Sequence, residues 1–104
     1  MSRPTYEVVL DEIERHFHNH RMAGEHVVAA TMGGSQAAEM AMMNDNGMIL
    51  EMGGACALLD MLPLLPLESL EVEIVTRELK RINKIYQHAL ISNTVTKLCE
   101  KRAA

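Results

Sequence analysis

Apolar residues recur at helical spacing along two stretches of this chain, and this period constrains the fold more than any other feature. The first stretch follows Pro4, a residue suited to a helix start because its missing N–H would be unpaired there. The second stretch alternates like the seam of a coiled coil. The two stripes comprise Tyr6, Val9, Leu10, Ile13 and Phe17, and Val72, Val75, Leu79, Ile82, Tyr86 and Ala89. Both predict amphipathic α-helices.

Turn-forming residues divide the middle of the chain. Gly24 is predicted to end or bend the first helix, and a second helical segment follows over residues 25–43. Residues 44–47, Asn-Asp-Asn-Gly, predict a turn, since these residue types tolerate left-handed backbone and cap helices. The third segment, residues 48–62, is apolar on nearly every side and is predicted to be the most buried.

Two prolines, Pro63 and Pro66, stop helical propagation after the third segment. Residues 67–101 are then predicted to form one long helix or two helices in series. Residues 70–74 also alternate like a strand, but no neighbouring segment offers them a pairing partner. We therefore expect a single all-α domain, residues 1–104, of four to five helices with a long C-terminal helix.

Self-association is predicted from the short length of the chain. A chain of 104 residues buries only about two-thirds of its unfolded surface, and three apolar segments exceed what one small core hides. We expect a homodimer whose seam lies on the last helical stripe, and the dimerisation residues are predicted to be Val75, Leu79, Ile82 and Tyr86. The net charge of −4 combines an acidic first part with a basic remainder, so the two parts are expected to attract each other.

Several features indicate a cytoplasmic location. The N-terminus lacks the basic and apolar regions of a signal peptide, and charged residues interrupt the apolar stretches. No membrane segment is therefore predicted. The two cysteines, Cys56 and Cys99, form no C-x-x-C pair and are interpreted as reduced, inert thiols. No nucleophile has a base at local spacing, so we predict neither an enzyme nor a cofactor.

Histidines and basic residues supply the alternative hypothesis, a metal- or nucleic-acid-binding regulator. His16 and His20 are four residues apart, a spacing that can chelate zinc, copper or nickel, but no further ligand is placed locally. They are interpreted as the rim of a packing face, and no metal site is predicted. A basic stripe on the last segment comprises Arg77, Lys80, Arg81, Lys84 and His88. It lacks interleaved aromatic residues, so a solvated face, or docking on the acidic side of the first helix, is preferred to nucleic-acid binding.

Methionine is unusually frequent, with nine residues against three aromatic ones. Because methionine is flexible and polarizable, it is common on surfaces that grip another protein. We predict the partner-binding residues to be Met32, Met40 and Met43. The expected function is that of a small regulator that binds another protein, such as an anti-activator that blocks a transcription factor, or an adaptor. Secretion chaperones and phage inhibitors share this general character, and no motif identifies the partner or the family.

Overall fold

The computed structural model describes the backbone of residues 3–30 and 35–103, and the side chains of residues 3–24 and 47–101. Four α-helices are present in these residues: α1 (Thr5–Ala30), α2 (Ser35–Met61), α3 (Ser69–Tyr86) and α4 (Ala89–Ala103). A short 3-10 helix, Leu62–Leu64, follows α2 directly. The described part of the chain contains no strand, so the prediction of an all-α fold is confirmed, with four helices where four to five were expected.

Two predicted helix ends in the first half are wrong. Helix α1 continues past Gly24 to Ala30, and α2 runs without a break through residues 44–47. Turn-forming residues cost a helix only about 0.5–1 kcal/mol each, so packing of α1 along α2 outweighs them. A methyl group built at Gly24 would lie 3.4 Å from Met48 Cε, which shows how closely the two helices approach there.

For residues 67–101 the prediction of one long C-terminal helix is wrong and the alternative of two helices in series is confirmed, because the chain breaks between α3 and α4. Gln87 adopts a left-handed conformation with φ of 50°. Asn83 stabilises the break, since its carbonyl accepts from the Gln87 N–H at 2.8 Å and its side-chain oxygen accepts from the His88 N–H at 2.9 Å. The Asn83 amide also donates to Ser92 Oγ at 3.0 Å, which ties the start of α4 back to α3. The last segment is therefore two helices in series.

The hydrophobic core draws on all four helices and on the 3-10 helix. Its buried members are Val9, Leu10, Ile13, Phe17, Ala55, Leu59, Leu62, Val72, Val75, Leu79, Ile82, Ile91 and Leu98. Both helical stripes predicted from the sequence therefore point inward, apart from their partly covered ends, Tyr6 and Tyr86, and Ala89 at the start of α4.

The predicted dimer seam is occupied by the core of the single chain. Val75, Leu79 and Ile82 are at most 1% exposed, and Tyr86 stacks on Phe17 with ring centroids 5.8 Å apart. The same spacing describes a coiled-coil seam and a core-facing stripe, so the pattern alone does not distinguish them. Val75, Leu79 and Ile82 therefore offer no surface to a second chain while the core is intact, and Tyr86 is only partly exposed.

The molecule is elongated, with extents of 55 × 30 × 18 Å and a radius of gyration of 16.4 Å. A globular domain of this length has a radius of gyration of about 13 Å. The long helices α1 and α2 account for this shape, because each is about 40 Å long at 1.5 Å per residue.

Candidate protein-contact surface

Helix α2 and the 3-10 helix after it carry an apolar face that points into solvent. Within residues 47–64 the exposed positions are Ile49, Leu50, Gly53, Ala57, Asp60, Met61 and Leu64. All except Asp60 are apolar or small, and these six residues are called the outward stripe. At 100° per residue the seven positions fall within about 120° of the helix circumference.

The large members of the outward stripe are strongly exposed. Ile49 is 70% exposed, Leu50 75% and Leu64 83%. Leu64 belongs to the 3-10 helix, where side chains three residues apart eclipse each other, so it continues the line of Met61. Large exposed apolar patches on soluble proteins mark contact surfaces. The stripe is therefore the first candidate for binding.

The prediction that residues 48–62 are the most buried is wrong for their side chains. Ala55, Leu59 and Leu62 enter the core, whereas the outward stripe lies on the opposite face. A helix that is apolar all round is usually buried all round. In the described part of α2, one face packs against the rest of the domain and the opposite face is exposed to solvent.

An open groove of about 570 Å³ lies beside the outward stripe, between α1, α2 and α4. Its lining residues are His20, Met48, Ile49, Met52, Gly53, Cys56 and Leu90. The lining is mostly apolar, and three of its side chains contain sulfur. Methionine adapts its shape to irregular partners, so the groove suits apolar side chains from another protein.

His16 is engaged in the contact between α1 and α2. Its Nδ1 lies 2.5 Å from Glu51 Oε2, and both side chains are mostly buried. The imidazole ring packs against Gly54, where a methyl group would lie only 2.7 Å from His16 Cε1. Glu51 lies 35 residues from His16 in sequence, so no local spacing indicates this partner.

The proposed chelating pair is divided between two environments, since His16 meets Glu51 and His20 lines the groove. Within the described residues, no three His, Cys, Asp or Glu side chains form a group that could hold a metal ion. The expected rim of a packing face therefore fits His16, which contributes a specific polar contact to that face.

The basic stripe on α3 is partly docked on α1. Arg81 donates to Glu14 at 2.9 and 3.2 Å and to Glu78 at 2.9 Å. These hydrogen bonds, first to Glu14 and then to Glu78, raise the pKa of Arg81 above its ordinary value. Docking on the acidic side of the first helix is confirmed for Arg81. Arg77 and Lys80 remain exposed on the surface of α3.

The predicted partner-binding methionines lie outside the described side chains. Met32 is outside the described backbone, whereas Met40 and Met43 belong to the helical backbone of α2. The helix that carries the outward stripe thus also contains most of the Met-rich sequence. The sequence alone does not single out Ile49, Leu50 and Leu64, because an all-round apolar pattern does not indicate which face of a helix is covered.

By length and mean hydropathy alone, Gly47–Leu64 is the one described helical segment apolar enough to cross a membrane. Only 17% of this window is buried in the structure. Core helices of soluble proteins satisfy the same criterion, and Ala55, Leu59 and Leu62 of this segment belong to the core. The unusual feature of this segment is therefore its solvent-exposed apolar face, and its high mean hydropathy alone is not unusual.

Comparison with known proteins finds no matching family model, no similar curated protein and no similar solved structure. The function is therefore argued from the surface of the chain itself.

Proposed function

We propose that this protein acts by protein–protein contact through α2, as a small homodimeric regulator of the anti-activator or adaptor type. The observation that carries the proposal is the outward stripe, which presents large apolar side chains to solvent along a helix. Burying such side chains yields about 1.5–3 kcal/mol each, a large gain for a second protein surface. The face thus has the physical properties of an unfilled interface.

The stripe and the groove suit different kinds of contact. The stripe is a straight, convex helical face, which fits another helix laid alongside it. The groove is concave and accepts apolar side chains from a partner, in the manner of a helix bound in a groove. We propose that the stripe supports self-association and that the groove binds the regulated protein.

Cys56 and Cys99 are both free thiols. Free thiols suit a reducing compartment, so we keep a cytoplasmic location as part of the proposal. The proposal assigns no catalytic residue and no cofactor to the protein.

Substitutions at two residues with similar solvent exposure test this proposal. Ile49, at 70% exposed, lies on both the stripe and the groove, whereas Leu70, at 66%, lies at the start of α3. A partner is first identified by affinity capture and then purified. Binding of the purified pair is measured by calorimetry for wild type, Ile49→Asp and Leu70→Asp.

We expect Ile49→Asp to weaken binding at least tenfold and Leu70→Asp to bind like wild type, with both variants keeping the helical circular-dichroism signal. Equal binding by all three proteins would refute a contact through α2. Equal loss in both variants would show a nonspecific apolar association, which also contradicts the proposal.

A further inference from the structure

We infer that the outward stripe binds a second copy of this chain, as an antiparallel pair of α2 helices with Ala57 on the twofold axis. This inference rests on the proposed function and adds the orientation and the register of the contact. It concerns the stripe residues, two of which, Ile49 and Gly53, also line the groove.

The spacing of the stripe is the same when read from either end. Its central line consists of Leu50, Gly53, Ala57, Met61 and Leu64, which are three, four, four and three residues apart. A twofold axis at Ala57 therefore places Leu50 against Leu64 of the second copy. The same operation places Gly53 against Met61, so each contact occurs twice, as an isologous interface requires.

The side-chain sizes complement each other in this register. A Cβ built at Gly53 meets no atom within 4 Å, so the surface there is open. The long, flexible side chain of Met61 fills such a space readily. Ala57 at the axis allows the helix axes to approach to about 8–10 Å. The paired leucines, Leu50 and Leu64, then close both ends of the contact.

The surface area of the stripe approaches the lower limit for specific interfaces. Residues 50–64 span about 22 Å of helix at 1.5 Å per residue. A specific interface requires about 1,000 Å² of total buried surface. Three large side chains per chain, each 70–83% exposed, together with the smaller stripe residues, approach that area when two copies meet. We therefore expect a dimer of micromolar rather than nanomolar affinity.

Charge permits this register. Asp60 is the one charged residue among the exposed positions of residues 47–64. It falls opposite residue 54 of the second copy, so the two Asp60 side chains are about six residues, or 9 Å, apart along the axis. That separation is about one Debye length at physiological salt, so their repulsion is largely screened.

A lipid surface fits the stripe less well than a second copy. Helices that lie in a membrane interface usually carry Lys or Arg on their polar face. The sequence contains no Lys or Arg between Arg21 and Arg77, a range that includes all of α2. The buried face of the helix is held by Leu59 and Leu62 in the core, so the segment does not separate from the domain without unfolding it.

Disulfide cross-linking tests the register directly. Single cysteines are introduced into a Cys56→Ser, Cys99→Ser background, because a disulfide forms only where Cα atoms approach within about 7 Å. We expect Ala57→Cys to form a covalent dimer under mild oxidation and Gly53→Cys alone to remain uncross-linked. A mixture of Gly53→Cys and Met61→Cys chains should cross-link. Ser92→Cys, exposed on α4, is the control for collisional oxidation.

Sedimentation of the wild-type protein under reducing conditions tests whether a second copy occupies the stripe. We expect Leu50→Asp to weaken the dimer at least tenfold, while Leu70→Asp sediments like wild type. Efficient cross-linking through Gly53→Cys alone would overturn the antiparallel register, although the proposed contact through α2 would stand. A monomer at all concentrations, or binding of the wild-type chain to phosphatidylserine vesicles that Leu50→Asp abolishes, would overturn self-association on the stripe.

Discussion

Replacement of Gly54 by alanine tests the fit between α1 and α2. Alanine normally stabilises a helix interior by about 1 kcal/mol relative to glycine. At this position the added methyl group would lie 2.7 Å from Cε1 and 2.8 Å from Nε2 of His16. The His16 ring cannot stay in place, and its movement disturbs the 2.5 Å contact with Glu51. We therefore expect Gly54→Ala to destabilise the protein despite its better helix propensity.

The magnitude follows from three contributions to the free energy of unfolding. Overpacking costs about 1–3 kcal/mol, and loss of the hydrogen bond between His16 and Glu51 costs about 1 kcal/mol. The gain in helix propensity offsets about 1 kcal/mol. The net loss is about 1–3 kcal/mol, and each kcal/mol lowers the Tm of a domain this size by about 4–8 °C.

Urea unfolding followed by the helical circular-dichroism signal measures this loss at one fixed protein concentration. Gly47→Ala is the matched control on the same helix, because no atom lies within 4 Å of its added methyl group. We expect that variant to gain about 1 kcal/mol. In a His16→Ala background the clashing ring is absent, so we expect Gly54→Ala to stabilise the protein as Gly47→Ala does. If Gly54→Ala stabilised the protein that contains His16 as much as Gly47→Ala does, the steric argument would be refuted.

Three further predictions concern the core and the contacts between helices. Phe17→Ala should lower the free energy of unfolding by about 3–5 kcal/mol in urea titrations, because the ring is 2% exposed. Arg81→Gln, which breaks the contact with Glu14, should cost less than about 1 kcal/mol, and the difference should shrink in 1 M NaCl. Thr94→Val should cost about 1–2 kcal/mol by the same assay, since it removes the buried hydroxyl that lies 3.1 Å from the Leu90 carbonyl oxygen and 3.4 Å from the Leu59 carbonyl oxygen.

The sequence predicted those parts of the fold that depend on a regular period. The stripes of α1 and α3 face the core as their spacing indicates, and Pro63 lies where α2 ends in a 3-10 helix. The break at Gln87 was not predictable in this way, because neither glycine nor proline occurs there. It depends on Asn83, whose side chain satisfies the backbone only after the chain has turned.

The contact surface was less predictable than the fold. A helix that is apolar all round has no preferred direction, so only the packing shows that Leu59 is covered and Leu50 is open. The bond between His16 and Glu51 joins residues far apart in sequence, and a local spacing rule does not find it. Most of the methionine-rich sequence lies on α2, but the most exposed large apolar residues described on that helix are Ile49 and Leu50.

The polar contacts between helices differ widely in sequence separation. His16 and Glu51 are 35 residues apart and Asn83 and Ser92 only nine, whereas Glu14 and Arg81 are separated by 67. Because closing a longer loop costs more chain entropy, we expect each helical hairpin to form before the two hairpins dock. Rapid helix formation should therefore precede a slower docking step.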